Sequence, residues 1–140
     1  MSVGREPGHL HPLPTRTSGY RYFFYDKHHG RGGPEAAQWA PDLSDDEEFG
    51  IFDQADTLDL SDERGNLYGI LNGPEPDQVH RYLGTCRQQI AKFPVAHPRA
   101  DWHGYPLGPL ENPVPPHPPK RALPRDALQK MTDHRLLRKS

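Results

Sequence analysis

Apolar positions in this chain fall into short groups whose spacing assigns most of them to an element. Tyr20, Arg21, Tyr22, Phe23, Phe24 and Tyr25 form an aromatic run suited to a half-buried pleated surface, and predict a first strand. The glycine-bearing stretch 26–34 ends it as a loop, and Pro34 opens a possible helical turn reaching Trp39. Residues 57–61 alternate with period two, and Leu67, Tyr68, Ile70 and Leu71 follow after a loop closed by Gly65. The pair predicts a hairpin with Ser61 opposite Asn66 and Leu60 opposite Leu67, placing Leu58, Leu60, Leu67 and Leu71 on one face. Val79, Tyr82, Leu83, Cys86, Ile90 and Phe93 recur at helical spacing. They predict an amphipathic helix over 77–92, stopped by Pro94, with Cys86 buried and inert on its stripe. A C-terminal helix is expected over 124–138, with Pro124 at its start and Ala127, Leu128 and Met131 inward. The fold class that results is α+β: a small antiparallel sheet, one central amphipathic helix, a proline-rich extended segment and a C-terminal helix.

Composition limits how much core these elements share. The chain has 140 residues, 33% of them hydrophobic, which fits one small domain with a thin core. Residues 1–18 are polar and aperiodic and are expected to form a disordered tail, leaving 19–140 as the domain, with a proline-rich wrap over 94–124. A thin core favours an oligomer or a stabilising partner. No apolar run approaches the roughly 20 residues of a membrane span, and the N-terminus lacks the apolar stretch of a secretory signal. The single cysteine excludes an intramolecular disulfide and fits a reducing compartment. A cytoplasmic protein without a membrane partner is expected.

Ten of the seventeen prolines lie between Pro94 and Pro124, yet this stretch is not a bland linker. It contains Asp101, Trp102, His103, Tyr105 and Leu107, a knot of large side chains with polar tips at a glycine- and proline-bearing turn. Such rings bury area while offering hydrogen bonds, the character of a binding surface, although Trp102 and Tyr105 would also suit the domain's own core.

Charge adds a second candidate surface. Residues 42–64 hold ten acids against Arg64 alone, a balance of −9 within a chain of net −2, so the remainder carries +7. The run Asp45, Asp46, Glu47 and Glu48 is expected on an exposed loop, either solvated or docking a basic partner. Taken together, the expectation is a small protein-binding module, an adaptor, an immunity-type neutraliser or an accessory subunit, joined to its partner through the aromatic turn and the acidic face.

Two other functions use the same residues differently. A metal-independent nuclease or phosphodiesterase needs an acid, a base and a cation; His103, His97 and Arg99, with His117 and Lys120 as substitutes, supply those types but no diagnostic spacing. A non-catalytic nucleic-acid binder would use the aromatics and bases of 20–31, but the acidic block beside them would repel phosphate. The nine histidines show no HExxH or comparable ligand spacing, so no metal and no cofactor are expected.

Overall fold

The computed structural model describes residues 8–29, 37–71, 81–96, 101–108, 123–134 and 136. They form an α+β arrangement of two small antiparallel sheets and two helices. Strands β1 (Gly8–Leu10) and β2 (Phe23–Tyr25) pair antiparallel, with His9 opposite Phe24. Helix α1 follows at Asp45–Thr57. Strands β3 (Leu67–Gly69), β4 (Ile90–Phe93) and β5 (Tyr105–Gly108) form a sheet in that order, antiparallel throughout, and helix α2 (Arg125–Asp133) ends the described fold. Among the described residues no helix is long and apolar enough to cross a membrane.

The acidic run, expected as a loop, starts α1 instead. Ser44 accepts from the Glu47 amide while the Glu47 carboxylate accepts from the Ser44 amide, a reciprocal cap that satisfies two otherwise orphaned donors. Four acids in the first turn face the positive end of the helix dipole. Glu48, Ile51, Phe52 and Ala55 then recur at helical spacing on the buried side. The helix continues to Thr57, so residues 57–61 are not a strand. Only Ser61 bridges, to Leu67 and not to Asn66, and Leu60 accepts from the Tyr68 amide. The expected loop remains as a turn in which Asp62 accepts from the amides of Arg64 and Asn66.

The helix expected over 77–92 is corrected where it is described, since residues 72–80 lie outside the described part. Leu83 and Gly84 amides point to the Gln88 carbonyl, Arg87 sits at φ 63°, and Ile90 to Phe93 pair as β4. The apolar spacing therefore belongs to a turn and a strand, and Cys86 is exposed at the turn. Trp39, expected in a helical turn, bridges Gly84 in extended backbone. The stretch 8–18 of the expected tail is not loose: β1 pairs with β2, and Thr15 is buried. The expected C-terminal helix is present, shorter than 124–138, with Pro124 at its cap and Ala127 and Met131 buried. Of the proline-rich wrap, 97–100 and 109–122 lie outside the described residues.

An aromatic core joins the layers. Tyr22 bridges Trp102, linking the end of β2 to the turn before β5. The Phe52 ring from α1 lies 5.0 Å from Tyr22, 5.0 Å from Phe93 and 5.5 Å from Trp102. Close packing here requires two glycines. A Cβ at Gly69 would sit 2.3 Å from Ile51 Cγ2, and one at Gly104 would sit 2.3 Å from Phe93 Cδ1. Their bare backbones let the helix approach β3 and let the Phe93 ring approach the backbone at Gly104.

Candidate functional site

Residues 101–108 alternate strictly between half-buried and buried positions. Period two is the signature of extended chain with one face against the core. Trp102, Gly104, Pro106 and Gly108 turn inward, whereas Asp101, His103 and Tyr105 form a half-buried row on the other face; Leu107, also half-buried, packs against the core. With Leu107 leaning on the core, three of the five binding residues expected in this turn therefore form that row. Trp102 does not: it is 6% exposed, its ring packs on Tyr20 and Phe52, and its backbone bonds Arg21 and Phe23. Its place is in the core.

Neighbouring segments extend the row sideways. Arg21 Nε lies 3.8 Å from Asp101, the Tyr25 ring meets His103 edge-on at 4.6 Å, and His28 stacks on Tyr105 at 5.5 Å. His28 is fixed because its Nδ1–H donates to the Ala37 carbonyl at 2.7 Å. Trp39 donates its indole N–H to the Gly104 carbonyl, securing the turn from below. The result is a ridge of rings with polar tips on a backbone held from two sides. His97 and Arg99, the companions of His103 in the catalytic alternative, lie outside the described residues.

The expected acidic surface is largely consumed inside the fold. Glu47 caps α1 and pairs with Arg81, whose guanidinium also reaches Asp42. Its carboxyl is held below the usual range by the Ser44 amide first and by Arg81 after it. Asp45 pairs with His9 at 3.0 Å. Farther along the helix, Asp53 accepts from the Arg16 amide and Nε, and Asp56 accepts from the Ser18 amide. Asp46 stays exposed.

Glu48 is the extreme case. It is 2% exposed, accepts from the Tyr22 hydroxyl on Oε2, and faces His29 Nε2 at 3.1 Å on Oε1. Burial raises its carboxyl above the usual range, against the pull of His29 and Tyr22. Burial lowers the His29 imidazole, but the hydrogen bond and charge of Glu48 outweigh it and the net shift is upward. Burial also drives the Tyr22 phenol well up, followed by the Glu48 charge. His29, Asp45 and Glu48 bring one nitrogen and two carboxylate oxygens within 4.8 Å of one another.

Sequence reasoning named Asp45 and Glu48 but missed His29, His9 and Tyr22 as their partners. The Ser44-to-Glu47 spacing was the available signal, because it announces a helix start and so places residues 45 and 48 on one face one turn apart. Nothing local links His29 to that face. No protein-family model matches the chain, and neither a curated protein nor a solved structure matches it.

Proposed function

We propose that this is a protein-binding module whose contact face is the half-buried row Asp101, His103 and Tyr105, flanked by Tyr25. The observation that carries this reading is the strict alternation across 101–108, which turns these side chains to one side while Trp102 anchors the strand from beneath. Rigid backbone costs little ordering entropy on association, and rings with polar tips supply most of the energy at protein interfaces. The acidic face contributes less than its composition implies, because Glu47 and Glu48 already have partners within the chain. A cytoplasmic adaptor or accessory subunit fits this arrangement and the single cysteine.

The test places a photo-crosslinking amino acid at Tyr25, beside His103, and irradiates the protein in native lysate. The captured protein is then purified and its affinity measured by calorimetry. Tyr105→Ala and His103→Ala should each weaken binding about tenfold or more, while Asp126→Ala leaves it unchanged. No reproducible crosslink at Tyr25, or an affinity indifferent to both row substitutions, would sink the reading.

A further inference from the structure

We propose that His29, Asp45 and Glu48 form a three-ligand site for a divalent transition-metal ion, separate from the outward row of β5. The three donors come from two segments, the chain after β2 and the first turn of α1, and converge within 4.8 Å. An ion bonded at about 2.0–2.2 Å to one imidazole nitrogen and two carboxylate oxygens requires donor separations of about 3–4 Å. The His29–Glu48 separation of 3.1 Å already meets that range, and Asp45 lies on the exposed side, where its side chain can turn.

Each carboxylate also has an outer partner. Tyr22, fully buried, donates to Glu48 Oε2 and leaves Oε1 toward His29. His9, carried on β1 and stacked on Phe24 at 4.7 Å, donates its Nε2–H to Asp45 Oδ2. Ligand carboxylates in metal sites are oriented by such second contacts. The buried Glu48 thus cannot rotate away, which distinguishes this set from a solvated acidic patch. A mixed nitrogen–oxygen donor set selects borderline ions such as Zn²⁺, Co²⁺ or Ni²⁺ over Ca²⁺, and three protein ligands leave a coordination position open. Two carboxylates neutralise the double charge of the ion, and the His29 nitrogen binds it in its unprotonated form. Spacing along the chain conceals the site, because only tertiary packing brings His29 and Asp45 together.

The experiment is calorimetric titration of the chelator-treated chain with ZnCl₂, repeated with CoCl₂ while the visible absorption of bound cobalt is followed. One ion per chain is expected, and a cobalt d–d band should report nitrogen–oxygen coordination. His29→Ala and Asp45→Asn, both at exposed positions, should each lower affinity about 100-fold, and His9→Ala about tenfold, as an outer-partner loss does. Asp46→Asn should change nothing, and circular dichroism checks that each variant folds. Absence of stoichiometric binding overturns the proposal. So does binding that survives in both His29→Ala and Asp45→Asn, which would trace the ion to other histidines.

Discussion

Helix α1 and the strand segment 101–108 invert what their compositions announce. The most acidic stretch of the chain turns its carboxylates onto other segments: Glu48 onto Tyr22 and His29, Asp53 onto Arg16, Asp56 onto Ser18. The strand segment turns Trp102 into the core and the rings of His103 and Tyr105 to the other, half-buried face. Period explains the difference. A helix buries every third or fourth residue, so a dense acidic run inevitably sends some charge inward, where it survives only with partners. A strand buries every second residue, so a dense aromatic run inevitably sends some rings outward.

The sharpest break of this comparison lies between adjacent residues of the strand segment. Trp102→Ala should cost about 3–5 kcal/mol in urea unfolding, because it empties a buried site against Phe52. His103→Ala next door should cost less than about 1 kcal/mol. Equal losses at the two positions would show that the alternation does not divide core from surface.

On the helix, Glu48→Ala should cost about 2–3 kcal/mol, since it strands the buried Tyr22 hydroxyl without an acceptor. Adding Tyr22→Phe should then cost less than it does alone, giving a coupling measurable in a double-mutant cycle. Additive losses would mean that the two groups do not depend on one another. Asp46→Ala, two residues earlier but exposed, should stay within about 0.5 kcal/mol.

The smallest effect is a pH dependence at the turn after α1. Burial raises the Asp62 carboxyl, but Asn66 first, then Tyr68 and the amides of Arg64 and Asn66, outweigh it and hold it below its ordinary value. The stability it supplies is therefore complete above about pH 4, the unfolded carboxylate range, and disappears as pH falls through the lower folded value. Urea midpoints of wild type and Asp62→Asn should differ at pH 6 and converge toward pH 2. A gap that stays constant across that range would exclude the ionised carboxylate as its source.

Much of the fold was legible wherever the period was local. The aromatics of 20–25 yielded β2, Ala127 and Met131 marked the inner face of α2, and Gly65 marked its turn. Residues 82–93 misled because Leu83, Ile90 and Phe93 are all buried in a strand and turn that happen to mimic helical spacing. The turn at Arg87 leaves no sequence signal of the glycine or asparagine kind. Helix α1 was announced by its capping residues but masked by the expectation that acids are solvated. The outward row was legible as residues, though its exclusion of Trp102 required the register of the chain. The His29–Glu48 pair was not legible at all, since tertiary packing alone brings those positions together.

Phe93 lies between two positions that have no side chain. Gly104 closes on its ring from one neighbouring strand segment, and Gly69 on β3 faces it from the other, within 3.6 Å of a Cβ that is not there. Sequence drift at this place is therefore locked. A lineage that enlarges either glycine first meets a clash, and one that shrinks the phenylalanine first carries a void. Phe93 and Gly104 must change in concert or remain as they are, and Gly69 is tied in the same way to Ile51, so distant descendants of this chain should keep two such pairs, 51 with 69 and 93 with 104.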